Sequence, residues 1–310
     1  MKRFILLFST VFWFQVGFGS EIDSFSRRHE YLPDSKNIIN LKVNFYLQEA
    51  INLANRKNDC KEKTLYRSIR KYFKNHYVDV FSDWLYHSED VYRRTIYLKD
   101  SIYQDLNAID SIILGGTGKL TEVAGSIINI NGHLIGTDKL EHLFGRGLVY
   151  YKRYYLKKQP IEKVMRFGAK TEKLWLGALT TGIYSYADLA ANFSGLLFWN
   201  HLLKKYDDIL PSKQYLGPYI ICKNKQWKLN QFIDISNYID SSFDEGINCS
   251  KFRTKKILTK VLNRIKGLEE KNNVSLTCPI QRKSILNLKQ KYGEYAKYFI
   301  NDEGHQVLNK

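Results

Sequence analysis

Residues 126–147 read SIININGHLIGTDKLEHLFGRG, and this stretch sets how the rest of the chain is interpreted. Ile127-Ile128-Asn129-Ile130 and His133-Leu134-Ile135 flank Asn131-Gly132. Asn-Gly between two apolar, β-rich runs specifies a two-residue hairpin turn, because both central residues must take positive φ. A helix should follow at once. Gly136 punctuates, Thr137 can cap, and Asp138 and Glu141 fall in the first turn, where acids suit the helix dipole. That helix is expected to run towards Lys157 and to stop before Pro160.

Further along the chain, Ile161 to Leu179 reads as a long helix broken by Thr180-Thr181-Gly182, and Ser185 or Tyr186 opens another that reaches about Tyr206. On the N-terminal side, Leu41, Val43, Leu47, Ile51 and Leu53 recur at helical spacing across Asn37 to Arg56. Thr64 to Tyr77 and Val78 to Tyr86 look helical as well, while Tyr92 to Tyr103 fits no single pattern. Pro211 and Gly217-Pro218 mark a boundary. Beyond it, short strands at Tyr219 to Ile221 and Trp227 to Leu229 mix with helices at Lys255 to Leu268 and Ser284 to Phe299. The fold expected is α-rich α+β: one mostly helical domain over 20–310, with a helical core at about 105–210, a small β-hairpin, and a disulfide-stapled C-terminal region at about 217–310.

Lys2 and Arg3 precede an almost wholly apolar run, Phe4 to Phe14, and Gly17-Phe18-Gly19 supplies small residues where a signal peptidase cuts. Residues 1–19 are therefore expected to be a secretory signal peptide, since an apolar core of about 11 residues is too short to span a bilayer. No later stretch reaches the length of a membrane span, so the mature chain is expected not to cross the membrane and to work in the periplasm or outside the cell. The cysteines number four: Cys60, Cys222, Cys249 and Cys278. In an exported chain an even count suggests disulfides; of the three possible pairings we expect Cys249–Cys278 and Cys60–Cys222. No Cys-x-x-Cys occurs, which argues against a zinc ribbon.

The net charge is +17, with 44% apolar and 14% aromatic residues. With this composition disorder is not the default, and in an exported chain the charge either forms a basic solvated surface or suits an anionic envelope polymer such as peptidoglycan. Nothing supports nucleic acid as a partner, because the cations are scattered rather than gathered into an arm. No cofactor is called for either: Leu114-Gly115-Gly116-Thr117-Gly118 lacks the Gly-Lys-Ser/Thr ending of a phosphate loop.

Candidate chemistry concentrates in three segments, GTDKLEHLFGRG, TEKLWLG and YSYADLAANFSG. Asp138 and His142 are four apart, Glu141 lies beside them, and Asp188 and Asn192 repeat the spacing on another helix. If the helices pack together, Asp138, His142, Glu172, Asp188 and Asn192 converge. They could be buried polar residues that fix helix packing. They could form a general-acid site, with Glu141 protonating a leaving oxygen and apolar Leu140, Leu143 and Phe144 raising its pKa. Asp138, His142 and Glu172 could instead hold a metal, although one His is thin for zinc and no His-Glu-x-x-His occurs. Glu141, Glu172 and Glu122 all remain candidates for the working acid.

Nucleophilic hydrolysis lacks a Gly-x-Ser-x-Gly, and neither Ser185 nor Ser194 has an evident His partner. Tyr150, Tyr151, Tyr154 and Tyr155 interleave with Lys152 and Arg153, a mixture suited to sugar rings and carboxylates or, equally, to tyrosines half in a core. Asp240, Asp244 and Glu245 cluster before Cys249 and read as a turn pinned by the disulfide.

The order Asp138-Lys139-x-x-His142, then Glu172, then Ser185-x-x-Asp188-x-x-x-Asn192-x-x-Gly195 resembles the VanZ-like and YfiM-like envelope proteins over about 60 residues. The resemblance implies a shared helical core at the envelope and no particular reaction. In layout the chain is also similar to exported lysozyme-like enzymes of predatory bacteria that act on deacetylated peptidoglycan, through an acid near Glu141 followed by tyrosines. The function expected is thus a peptidoglycan glycan-strand hydrolase. Glu141 would be the acid, with His142 and Glu172 beside it, and Tyr151 or Tyr154 would orient the sugar. Asp138, Tyr150, Arg153, Asp188 and Asn192 would contact substrate. A non-enzymatic envelope-binding protein is the rival, and a metal-dependent hydrolase the third reading. An enzyme needs Glu141 on the wall of a cleft; the rival buries it.

Overall fold

A computed structural model describes residues 21–57, 59–73, 79–112, 114, 125–210 and 216–308. The proposed signal peptide, the glycine-rich break after Leu114 and Glu122 lie outside the described residues.

Three helices come first: α1 (Lys36–Asn55), α2 (Glu62–Tyr72) and α3 (Val80–His87). Asp79 caps α3 by accepting from Ser82 N at 2.6 Å. The expected hairpin follows as β1 (Ile127–Ile130) and β2 (His133–Gly136), antiparallel, with Ile130 opposite His133. Asn131 and Gly132 have φ of 53° and 84°, the left-handed pair that the Asn-Gly dipeptide specifies.

The next helical run is interrupted twice. It passes through α4 (Asp138–Glu141), a π-helical turn at His142–Arg146, α5 (Gly147–Tyr151) and a second π turn at Lys152–Leu156. Thr137 does not cap it: its backbone is already helical, and its hydroxyl donates to Ser126 O at 3.3 Å. Helix α6 (Ile161–Thr171) ends in a third π turn, Glu172–Leu176. Single π turns insert one residue per turn and re-aim the side chains around them, so they recur at functional sites.

After β3 (Ile183–Tyr184) comes α7 (Tyr186–Leu203), the axis of the molecule. Its sequence, YADLAANFSGLLFWNHLL, is apolar nearly all round, the pattern of a helix covered on every side. Ser185 opens it by accepting from Asp188 N. Trp199 is fully buried, and its indole N–H donates to Phe144 O at 2.8 Å, which satisfies its one polar atom. Helices α5 and α7 cross at Gly147 and Gly195. A Cβ at Gly195 would lie 2.0 Å from Leu143 O, so the two backbones touch and only glycine fits.

The C-terminal region contains hairpin β4 (Ile220–Lys223) and β5 (Gln226–Leu229), then β6 (Lys251–Phe252), α8 (Lys255–Asn272), α9 (Arg282–Tyr292) and β7 (Gln306–Val307). Strand β6 pairs antiparallel with β3 and parallel with β7. The helix expected over Ser284 to Phe299 ends at Tyr292, because Gly293 takes φ of 52° and a 3₁₀ turn replaces the last stretch. Both disulfides pair as the sequence suggested, Cys60–Cys222 across 162 residues and Cys249–Cys278 across 29. The first fastens hairpin β4–β5 to the connection between α1 and α2, and the second staples the C-terminal region. No helix among the described residues is long and apolar enough to cross a membrane. The largest apolar cluster runs from Ile39 in α1 to Ile300, so both ends of the chain build on α7.

Candidate functional site

Where α4, the N-terminus of α7 and the loop before β6 meet, one ammonium sits among carboxylates. Lys139 is 1% exposed, and its Nζ lies 2.8 Å from Asp138 Oδ2, 2.5 Å from Asp188 Oδ1 and 2.8 Å from Glu245 Oε1. Helix α7 supplies the rest by its four-residue spacing. His142 Nε2 faces Asp188 Oδ2 at 3.3 Å, and Nδ1 faces Asn192 Oδ1 at 3.0 Å. Ser185 ties the outer edge: its hydroxyl donates to Glu245 at 2.9 Å, and its N–H reaches Glu172 Oε1 at 3.4 Å. Two glycines leave room for the acids. A Cβ at Gly136 would meet Asp138 Oδ1 at 2.3 Å, and one at Gly177 would meet Glu172 Oε1 at 2.2 Å.

The charges settle unevenly. Burial pushes the Asp138 carboxyl up to about 7, with Lys139 pulling down and Asp188 and Glu245 adding to the rise. Burial, then the Asp188 charge, holds Glu172 well above the carboxylate range; burial and Glu245 do the same for Glu21, a further acid at this edge. Glu245 is raised by burial although Lys139 opposes it. Asp188 ends below the ordinary range because His142 and Lys139 outweigh its burial. Burial works against the Lys139 ammonium, yet the three carboxylates hold its pKa well above the usual value. The node thus keeps one firmly ionised acid, one firmly ionised lysine and several reluctant acids.

The sequence-selected residues divide into two groups. Asp138, His142, Asp188 and Asn192 come together, with Glu172 at their edge. Tyr150 stands behind them, 1% exposed, its hydroxyl pressed where a side chain on Gly168 would be. Glu141 is 3% exposed and faces Tyr86, whose phenol is pushed up by burial and by the Glu141 and Asp138 charges. It lines none of the described cavities. The remaining tyrosines and Arg153 point elsewhere. Tyr151 is core, its hydroxyl 3.1 Å from that of Tyr66. Arg153 stacks over Phe167 at 3.6 Å. Tyr154 lies on a separate open groove. Lys139 and Glu245 are the partners that sequence reasoning left out of the site. Lys139 stands inside the Asp-Lys-x-x-His pattern, whereas Glu245 comes from a segment read as a turn and carried no signal of its own.

Asp138, His142 and Asp188 offer three ligand atoms within 4.8 Å of one another, a spacing that would suit a cation. Lys139 already supplies the positive charge at the two carboxylates. The adjoining hollow, walled by His142, Arg146, Tyr150, Glu172 and Asn192, measures about 10 Å³, room for one water and not for a sugar ring. What this node can do chemically is hold and share protons; as it stands it does not admit a polymer.

The chain has no significant match among protein-family models, curated proteins or solved structures.

Proposed function

We propose that this is an exported, non-enzymatic envelope-binding protein that holds an anionic, sugar-containing polymer such as peptidoglycan. The observation that carries this reading is the groove of about 550 Å³ where the second π turn meets the end of α7. Tyr155 and Tyr206 stack there at 5.0 Å and 14°, and Tyr154 sets its ring edge-on to Tyr155 at 4.7 Å. Lys158 holds its ammonium 4.4 Å over the Tyr206 ring, and Lys205 stands at the rim. The stack holds the half-buried Tyr154 ring at the groove, where an aromatic surface suits a sugar ring. Lys205 is paired with Glu62, so Lys158 is the cation nearest to hand for a carboxylate, and a chain of net charge +17 is drawn to such polymers. Two disulfides fit an oxidising compartment. In this reading the node around Lys139 is structural.

A second reading, glycan-strand hydrolysis with Glu141 or a neighbouring carboxyl as general acid, is favoured by Asp138. Its carboxyl is held near 7 and its side chain is 19% exposed, which suits proton donation at neutral pH. One experiment separates the two. Purified protein, Tyr154→Ala/Lys158→Glu and Asp138→Asn are each incubated with sacculi, and pelleted protein and released muropeptides are measured. Sedimentation lost only in the groove variant, with no muropeptide from any, supports binding. Muropeptides from the parent but not from Asp138→Asn transfer the function to hydrolysis.

A further inference from the structure

The largest cavity among those described lies at the other end of α7, away from the Lys139 node. It is a cleft of about 620 Å³ between α7, the 3₁₀ turn Ile235–Tyr238 and α9, within the range of sites that take small molecules. Ser194, Leu197 and His201 recur along one face of α7 to form its floor, and Asn287, Gln290 and Lys291 recur along one face of α9 to form its rim.

The floor is built with care for its polar atoms. His201 is 3% exposed, with Nε2 2.7 Å from Asp208 and Nδ1 2.7 Å from the Tyr238 hydroxyl. That hydroxyl is in turn 3.1 Å from the hydroxyl of Tyr219. Burial lowers the His201 pKa even with Asp208 beside it, which favours the neutral imidazole, and the chain of contacts pins the Tyr238 hydroxyl in one place.

The charges around the cleft are already matched. Lys291 pairs with Asp240 at 2.5 Å, and Asp208 is taken by His201 and Lys204. What the rim offers a ligand is neutral: the side-chain amides of Asn237, Asn287 and Gln290 make no hydrogen bond with the described protein, and each carries two donors and an acceptor. Leu197 of the floor, with Leu210 and Leu216, adds aliphatic carbon to the same lining. Free amides, aliphatic carbon and the edges of Tyr238 and Tyr292 in one lining match a neutral polyhydroxylated ring that carries a small apolar substituent on an amide.

We propose that this cleft is a binding site for an N-acetylated amino sugar, its hydroxyls on the rim amides and its acetyl methyl against the leucines. It shares no residue with the tyrosine groove, so failure of either site leaves the other standing.

The test titrates the full mature protein with three disaccharides by calorimetry: the N-acetylglucosamine dimer, its deacetylated form and a glucose dimer. The acetylated dimer is expected to bind saturably, and each of the others at least about tenfold more weakly, since tenfold is about 1.4 kcal/mol. Asn287→Ala/Gln290→Ala, on the exposed rim, should weaken the acetylated dimer about tenfold with Tm unchanged. No saturable binding of the acetylated dimer, equal binding of its deacetylated form, or undiminished binding by the rim variant would each overturn the assignment.

Discussion

Helix α7 ends in two versions of the same chemistry. At its N-terminus an aspartate, Asp188, meets a lysine and a histidine, Lys139 and His142; at its C-terminus another, Asp208, meets Lys204 and His201. The first set is closed, with Lys139 1% exposed, three carboxylates on its ammonium and a water-sized hollow beside it. In the second, His201 and Asp208 line a cleft of about 620 Å³ and Lys204 is 11% exposed, whereas the aspartates themselves hardly differ, Asp188 at 11% and Asp208 at 14%. The difference teaches that residue type alone does not mark a site. The first set has only a water-sized hollow beside it; the second, its charges matched among themselves, underlies a cleft whose neutral rim remains open.

The largest expected effect tests that contrast directly. Lys139→Met leaves three buried acids without their cation, and breaking such a group costs about 3–5 kcal/mol. Lys204→Met removes one charged hydrogen bond and leaves Asp208 its His201 partner, and should cost less, about 1.5–3 kcal/mol. Urea unfolding of the two variants measures both. Equal costs would erase the distinction between a closed and an open site.

The next effect concerns how the closed end is built. Gly195→Ala would place a methyl 2.0 Å from Leu143 O and 2.7 Å from Gly147 Cα, contacts that only a shift of α5 against α7 can relieve. Overpacking of this kind costs about 1–3 kcal/mol, here at the upper end because the obstacle is backbone. Because α5 leads directly from the π turn that begins at His142, the shift should also disturb the His142–Asn192 contact. Thermal unfolding, together with the chemical shift of the His142 ring, reads both consequences.

Much of this end of the molecule was legible in the sequence. Asn131-Gly132 announced the hairpin, because few other dipeptides accept two positive φ values, and the four-residue spacing put Asp138 with His142 and Asp188 with Asn192 on single helix faces, their meeting left to how the helices pack. An even cysteine count in an exported chain suggested two disulfides, and the pairing expected among the three possible is the one that forms. Glu245 was not legible, since a residue 57 positions beyond Asp188 reaches the node only through the tertiary path of the loop before β6. The β4–β5 turn was hidden for a different reason: Asn224-Lys225 takes φ of 54° and 59°, a left-handed pair in which lysine replaces the glycine that usually signals it. The cleft left no motif, because Asn237, Asn287 and Gln290 are ordinary surface residues until two helices and a 3₁₀ turn bring them to one rim.

Asp188 and Asp208 are both held below the ordinary carboxylate range, but Asp138, beside Lys139 in the first set, responds to pH with the opposite sign. Asp138 has its folded pKa raised to about 7, so between pH 4 and 7 the folded protein keeps a proton that the unfolded chain has released, and stability falls as pH rises through that window. Asp138→Asn removes this, and should gain about 2 kcal/mol on the parent between pH 4 and 8, less than the full 1.36 kcal/mol per pH unit because the side chain is partly solvated. Asp208 has its folded pKa lowered, chiefly against its own burial by Lys204 and His201. Its contribution is present at neutral pH and is lost as pH falls below about 4, so Asp208→Asn should converge with the parent only in acid. Stability curves of both variants from pH 3 to 8 check the signs, and two curves of the same slope would mean that the closed node is solvated like the open one.

The smallest expected effect on stability belongs to the cleft rim. Asn287 and Gln290 are exposed and their side chains hold no partner in the described protein, so Asn287→Ala/Gln290→Ala removes no native hydrogen bond. Both lie within α9, where alanine is the better helix former, so the change should stay within about 0.5 kcal/mol and lean towards stabilisation. A site kept for binding should behave in this way, with residues that cost the fold nothing to lose and the ligand about tenfold. If the rim variant instead loses more than about 1 kcal/mol in urea, the amides are holding α9 against α7, and the open end of α7 is a structural node like the closed one.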